Sequence, residues 1–292
     1  MKYFDYFSFD TLGETLEFLK KQKHFVKIIS GGTDLIIEFR KNSPKLENID
    51  KVLDISRLRV LKVIEEDNDY VYIGPSCTHT EIVKNDIINK YFPALVEACL
   101  SIGCLQTRNQ GTIGGNIVNS SPSADTVPAL VSYNAELELL KDENIERIFK
   151  VKDFIKGPYK NELAKDEMLY CIRIPKDNTE DRLHVFEKLG RRNALSITRI
   201  SVCANALLED GKIKKITIVP GAVLPRFKNM KIAEDFLTGK KPQKEVLREA
   251  SELVAKEVFD EVGERWSTPY KKPVLEKMAF VALCKMFKIE II

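Results

Sequence analysis

The chain has 292 residues, with 46 basic against 43 acidic side chains, a net charge of +3, and hydrophobic and charged shares of 44% and 30%. That balance excludes a dedicated nucleic-acid or polybasic membrane binder, both of which need a concentrated positive field, and the apolar share excludes a disordered chain. No apolar run approaches the ~20 residues that span a bilayer, and the opening MKYFDYFSFD lacks an export pattern, so a cytoplasmic protein is expected.

The first stretch alternates helix and strand. Phe9-Asp10-Thr11 offers helix-start oxygens, and Leu12, Leu16 and Leu19 recur at helical spacing. Val26 to Ile29 is a short apolar strand ending in Ser30-Gly31-Gly32-Thr33; Leu35 to Arg40 then reads as a helix and Val52 to Ile55 as another strand. This is the βαβ pattern of a small parallel sheet. From Tyr70 the texture changes. Tyr70 to Ile73 is a strand, Gly74-Pro75 a turn, and Thr78-His79-Thr80-Glu81 has capping-box spacing. Tyr91 to Ile102 reads as one helix, followed by a long Gly- and Asn-rich loop and strands near Leu137 to Leu140 and Met168 to Ile174. Pro175 and the charged run Lys176 to Asp181 read as a linker. Beyond it Val185 to Leu189, Thr198 to Leu208 and Lys214 to Val219 favour strands, with Asp210-Gly211 as a hairpin signal. Two helices close the chain, Lys244 to Phe259 and Val274 to Phe287, the second introduced by Pro273. The C-terminal part is therefore a small separate α+β domain.

Six cysteines, Cys77, Cys99, Cys104, Cys171, Cys203 and Cys284, are dispersed and form no CxxC pair. They read as free thiols of a reducing compartment, with no metal or iron–sulfur site. His24, His79 and His184 lack zinc spacing and read as surface or capping residues, and Trp266 as a packing anchor before the last helix. No side chain stands out as an acid–base catalyst.

Two glycine-bearing segments carry the functional signal. Ile29-Ser30-Gly31-Gly32-Thr33-Asp34-Leu35-Ile36 is a strand–turn–helix transition. Its paired glycines let a ligand approach the backbone, and the helix start would turn free N–H groups toward an anion. It lacks the Rossmann spacing and a Walker lysine, and by itself such a segment is more often just a turn. Gly111-Thr112-Ile113-Gly114-Gly115-Asn116, followed by Ser120-Ser121-Pro122-Ser123-Ala124-Asp125, is dense in small hydrogen-bonding groups and reads either as an anion-binding nest or as a structural turn. Two such segments in one chain suit a pyrophosphate held from both sides.

Ile-Ser-Gly-Gly-Thr-Asp-Leu, Thr-Ile-Gly-Gly-Asn and Ser-Pro-Ser-Ala-Asp, in this order and spacing, resemble the FAD subunit of molybdenum hydroxylases. That is the medium-subunit family of xanthine, carbon monoxide and nicotinate dehydrogenases. The similarity runs through Tyr-Ile-Gly-Pro-Ser-Cys-Thr-His-Thr-Glu-Ile, Phe-Pro-Ala-Leu, Gln-Thr-Arg-Asn and Phe-Glu-Lys-Leu-Gly-Arg-Arg and spans nearly the whole chain. It implies an α+β fold: a two-subdomain FAD-binding domain of the vanillyl-alcohol-oxidase (PCMH) type over 1–176, with subdomains about 1–57 and 58–176. A C-terminal domain with a three-stranded antiparallel sheet and helices would follow over 182–292.

The resemblance also implies site residues. The FAD pyrophosphate falls to Ile29, Ser30, Gly31, Gly32, Thr33, Asp34, Leu35 and Ile36, while Gly111, Thr112, Ile113, Gly114, Gly115 and Asn116 match the second FAD segment. Asp125 matches a flavin-site acid, Leu169 an apolar residue packed on the cofactor, and Lys188 a flavin-proximal lysine; taken alone these are also a turn residue, a core leucine and a surface lysine. Ile102 stands where eukaryotic relatives carry a phenylalanine near the flavin. The implied activity is electron transfer: molybdopterin in a large partner subunit hydroxylates substrate, and two [2Fe–2S] clusters in a small partner subunit feed FAD in this chain. The electrons then leave to NAD, a ferredoxin, oxygen or another acceptor. A heterotrimer or dimer of heterotrimers is implied. Arg191-Arg192 is followed by Asn193-Ala194-Leu195 rather than acids, so NAD use does not carry over, and no cysteine-bearing insertion for an extra cluster is present. Two rivals remain: a self-contained FAD oxidoreductase of the vanillyl-alcohol-oxidase type, which needs acid–base residues over the flavin, and an assembly protein that has lost FAD, which the intact glycine segments oppose.

Overall fold

The computed structural model describes residues 3–142, 144–176, 182–192 and 195–291. The expected linker lies outside these from position 177 on, as do Asn193 and Ala194.

The N-terminal strands β1 (Asp5–Ser8), β2 (Lys27–Ile29) and β3 (Lys51–Asp54) form a parallel sheet in the order β1-β3-β2, with α1 (Leu12–Lys20) and α2 (Leu35–Arg40) as crossovers. The parallel βαβ expectation holds, and β1, absent from the sequence reading, completes it. Thr11 caps α1 by accepting the Glu14 N–H. Leu16 and Leu19 of α1 then bury against Leu53, Leu58 and Leu61, in a core that also receives Leu140 and Met168 from the next sheet.

That next sheet is five-stranded and antiparallel: β4 (Ile64–Glu66), β5 (Tyr70–Ile73), β6 (Glu136–Lys141), β7 (Asn144–Lys150) and, after the small hairpin β8 (Ile155–Gly157) and β9 (Lys160–Asn161), β10 (Met168–Pro175). The order is β4-β5-β10-β6-β7. Between β5 and β6 run α3 (His79–Lys84), α4 (Asp86–Tyr91), α5 (Pro93–Leu100), α6 (Leu105–Gln110), α7 (Ile113–Asn119) and α8 (Thr126–Ser132); α9 (Val151–Phe154) follows β7. The capping box on α3 is present in full. The helix expected over Tyr91 to Ile102 is α5, which starts two residues later: Tyr91 ends α4 and the chain breaks at Phe92, whose ψ of 56° is non-helical, because Pro93 disfavours a helical residue before it. Helix α5 ends at Leu100, leaving Ile102 outside.

The C-terminal strands β11 (Leu183–Leu189), β12 (Ile200–Glu209) and β13 (Lys212–Gly221) form an antiparallel sheet with a tight turn in which Asp210 and Gly211 have φ of 51° and 71°. Three helices follow: α10 (Lys231–Leu237), α11 (Lys244–Val262) and α12 (Thr268–Phe287). Helix α12 begins a turn and a half earlier than expected, with Pro269 in its first turn and Pro273 inside it. The sheet is covered on both faces, which explains why Ile200–Ala206 of β12 and Ile216–Gly221 of β13 are buried without alternation. Val202, Ala204 and Ile218 join a core with α10 to α12, whereas Phe186, Cys203 and Val219 join the core of the five-stranded sheet and its helices. Helix α8, whose seven residues are all buried, is the wedge between them. Asn205 Nδ2 donates to the Ser132 carbonyl at 2.8 Å, and a Cβ on Gly221 would meet Ser201 Oγ at 2.3 Å and the Pro128 ring at 2.9 Å.

Candidate functional site

Three segments from different elements meet at one end of the parallel sheet. The turn after β2 lies against the end of α6: a Cβ on Gly31 would fall 1.8 Å from the Gln110 carbonyl oxygen, so only glycine permits the approach. Gly32 turns the chain at φ +68° into α2. Ser30 Oγ bonds Ser76 Oγ at 3.1 Å and Asn119 Nδ2 donates to Asp34 Oδ2 at 2.9 Å, tying this turn to the segment after β5 and to the C-terminal end of α7. Among the described residues, no main-chain N–H from Gly31 to Leu35 has a hydrogen-bond partner, while Ile36 and Glu38 close back onto Gly32 and Asp34. The result is a run of unpaired donors at a partly exposed turn.

The second segment differs from the expected loop. Ile113 to Asn119 is helix α7, and Thr112 caps it by accepting the Gly115 N–H. Ile113 and Gly114 donate to the Cys77 and Pro75 carbonyls, and Asn116 to that of Thr112. A Cβ on Gly114 would collide with Pro75 at 2.4 Å. The N–H groups of Ile113, Gly114, Gly115 and Asn116 are therefore committed to the protein. What this segment presents outward is the bare, exposed face of Gly115 and the amide of Asn116, whose Oδ1 accepts from Thr126 Oγ1 at 2.7 Å so that Nδ2 remains free to donate.

His79 supports the junction from beneath. It is 2% exposed, its N–H donates to the Gly111 carbonyl at 3.0 Å, and its Nδ1 faces Cys99 Sγ at 3.6 Å. Burial, with Arg108 nearby, lowers its pKa to about 4, so it is neutral. His184 is half-buried with Nδ1 2.9 Å from the Tyr133 hydroxyl, and burial likewise lowers its pKa to about 4. Neither is the surface or simple capping residue expected, because tertiary partners far along the chain enclose both; only His24 is exposed. Trp266 also departs from expectation: at 93% exposure it anchors nothing within this chain.

Asp125 and Lys188, distinct in sequence, are brought together. Lys188 Nζ donates to Asp125 Oδ2 at 2.7 Å and to the Ser101 carbonyl at 2.9 Å, with side chains only 13% and 6% exposed. Thr198 Oγ1 donates to Asp125 Oδ1 at 2.5 Å. Burial pushes the Asp125 carboxyl up, opposed by the Lys188 ammonium and the Thr198 hydroxyl. Lys188 is thus no solvated surface lysine; its charge is matched inside the protein. Ile102 follows Ser101 at this end and is half-buried, and its carbonyl accepts from Arg108 at 3.0 Å. Leu169, 5% exposed, belongs to the main core beside a register shift in β10. The segment from Ser101 to Gly111 thereby links the ion pair at one end to the glycine turn at the other. Sequence reasoning missed Ser76, His79, Asn119 and Thr198. Thr198 is 73 positions from its partner and carries no local signal.

Comparison with known proteins completes the picture. Residues 2–177 match the family model described as the FAD binding domain in molybdopterin dehydrogenase, and 184–286 match the CO dehydrogenase flavoprotein C-terminal domain. The chain is 31% identical to the nicotinate dehydrogenase FAD-subunit of Eubacterium barkeri, over 93% of this chain and 92% of that one. It is 29% identical to the glyceraldehyde dehydrogenase medium chain of Sulfolobus acidocaldarius, over 96% of each. A carbon monoxide dehydrogenase chain from Hydrogenophaga pseudoflava shares the fold with a TM-score of 0.87 at 24% identity, over 98% of both chains.

Proposed function

The chain belongs to the family of FAD-binding domains of molybdopterin dehydrogenases. From that premise we propose that it is the flavin-carrying electron-transfer subunit of a multisubunit molybdenum hydroxylase, passing electrons from [2Fe–2S] clusters in a partner subunit to an external acceptor. The observation that carries this reading is the run of unpaired main-chain donors from Gly31 to Leu35, backed at van der Waals limits by Gln110. Clustered N–H groups of this kind are what a pyrophosphate requires.

Bound FAD supplies one- and two-electron redox chemistry. In this reading Ile29 to Ile36 hold its pyrophosphate, with Ser30 and Asp34 fixed by Ser76 and Asn119. Gly111 to Asn116 form the facing wall, where Gly115 leaves room for close approach and the Asn116 amide, oriented by Thr126, donates. Asp125, Lys188, Ile102 and Leu169 serve the ring end. There the buried ion pair holds a cation whose field is offset by its own carboxylate, so Lys188 tunes the potential less than a bare lysine would. No side chain of this set acts as a proton donor or acceptor to substrate.

The fold follows the same reading: a vanillyl-alcohol-oxidase (PCMH) type FAD-binding domain over 1–176, with subdomains about 1–57 and 58–176, then a C-terminal domain over 182–292. The two separate sheets and the matched family boundaries support that division. The partners are a molybdopterin-binding large subunit and a [2Fe–2S] small subunit, in a heterotrimer or dimer of heterotrimers in the cytoplasm, with NAD, a ferredoxin or another carrier as acceptor. Relatives named as an FAD-subunit and a medium chain support a subunit over a self-contained oxidoreductase. Among the described residues no three His, Cys, Asp or Glu side chains gather as a metal site.

The test is direct. The purified chain should carry one FAD, visible as a flavin absorbance spectrum, and should oxidise no hydroxylase substrate until the partner subunits are added. A colourless chain that takes up no FAD, or one that turns substrate over alone, would overturn the reading.

A further inference from the structure

The sole tryptophan of the chain stands on its surface. Trp266 is 93% exposed and Tyr270, one turn further, is 46% exposed. The turn that carries the indole, between α11 and α12, is closed rather than loose. Gly263 adopts φ +67°, the Arg265 N–H donates to Thr268 Oγ1 at 2.8 Å, and the Thr268 N–H returns to the Arg265 carbonyl at 2.9 Å. The side chain with the largest apolar surface is thus held outward on a fixed platform, the preorganised anchor that interfaces favour.

Three cations surround this platform. The Arg199 guanidinium lies 6.0 Å from the Tyr270 ring centroid, and Lys271 Nζ donates to the Ala222 carbonyl at 2.8 Å. Burial, then Arg199 and Arg265, lower the Lys271 pKa, so the three share one local field. Among the described residues none of the three pairs with a carboxylate. A net charge of only +3 over the whole chain makes an unneutralised triad a local feature, not a reflection of overall basicity.

From these features we infer that Trp266, Tyr270, Arg199, Arg265 and Lys271 form a docking surface for another protein subunit of the complex, one that offers an apolar pocket for the indole rimmed by carboxylates. The inference rests on the multisubunit reading above and names the surface that reading leaves open. A second copy of this chain is a poor occupant, because a two-fold contact would set the triad against itself. Arg199 directly follows Thr198, which holds Asp125, so the surface and the buried ion pair share one stretch of chain.

The test uses the full chain carrying fluorotryptophan, mixed with its unlabelled molybdopterin and iron–sulfur subunits and followed by 19F NMR and by iodide accessibility of the indole. On assembly the single resonance should shift and the indole should become inaccessible to iodide. Trp266→Ala should weaken assembly at least tenfold while leaving FAD content unchanged. Arg199→Gln combined with Lys271→Gln should weaken it similarly and flatten its salt dependence, since the charged contribution is screened by salt. If the subunits assemble with the indole still open to iodide, or if the variants assemble like wild type, the docking surface is wrong and the proposed function stands. A resonance shift produced by concentrating this chain alone identifies a second copy and overturns the inferred occupant. If the wild-type chain joins no complex, the proposed function itself falls, and the docking inference with it.

Discussion

Gly31 is the point where the two glycine-bearing segments touch, and its replacement separates two contributions to the site. In Gly31→Ala the new methyl group would meet main-chain atoms at 1.8 Å, so the turn and the end of α6 must part. The expected result is loss of bound flavin after gel filtration, with a loss of stability of about 1–3 kcal/mol. At Gly115 an added Cβ meets only Thr112 Oγ1, at 2.9 Å, so Gly115→Val is the milder replacement. It should leave the fold in place and still reduce flavin occupancy by filling the bare face. Full occupancy in that variant would mean that α7 supports the turn without lining the cofactor. The Asp125–Lys188 pair gives a second residue-scale prediction. Both side chains are nearly covered, so removing one partner strands a buried charge. Asp125→Ala or Lys188→Met should each cost about 3 kcal/mol, whereas the double replacement should cost less than the sum. Urea denaturation of the three variants measures the coupling, and an additive double variant would contradict the pairing.

At the level of elements, the two enclosed histidines tie α3 and β11 to pH. Their folded pKa values lie near 4, below the ordinary 6.5, so the unfolded chain takes up these protons first. Stability is therefore complete above pH 6.5 and falls as pH drops toward 4, by up to about 3 kcal/mol for each histidine. His79→Gln should flatten half of that slope in urea titrations at successive pH values, and a wild-type slope of zero across that window would refute the assignment. Because His79 backs Gly111, acid should also release the flavin before the chain unfolds globally. His79 marks where sequence legibility ended. The capping box that includes it was readable from Thr78 and Glu81, since both partners lie within one turn, but its enclosure by Cys99 and Gly111 depends on contacts 20 and more positions away. The same cause turned α7 into an expected loop. Its Gly-Gly-Asn composition reads against helix, and the carbonyls of Pro75 and Cys77 that accept its first N–H groups are invisible to local pattern. Helix α8, with three β-branched residues and Pro128, likewise carries no helical signature, yet its complete burial overrides propensity. By contrast the β2 turn was legible, because strand, paired glycines and helix are contiguous there. Trp266 was misread for a different reason: tryptophan is highly buried on average, and only the whole molecule reveals that nothing covers it.

Across the whole molecule, the C-terminal sheet is part of the core of what precedes it. Phe186, Cys203, Val219 and Phe227 bury with α5 and α8, so the two matched family regions are not independent in packing. A chain ending at residue 176 should accordingly expose α8 and fail to give a cooperative thermal transition, and a well-folded, soluble fragment would show that the shared core is dispensable. The cysteines spread over these same cores have a practical consequence. Five of the six are buried, and burial pushes the Cys77, Cys171 and Cys203 thiols up to about 12, where they hold their protons. Cys104 alone is half-buried, at the start of α6, and hydrogen bonding from the Thr107 hydroxyl and nearby amides lowers its pKa. Under native conditions a thiol reagent should therefore count one reactive group rather than six. A probe attached to that sulfur would sit on the segment joining the ion pair to the glycine turn. The chain thus carries a built-in labelling position from which cofactor binding and partner arrival can be followed in the unmutated protein.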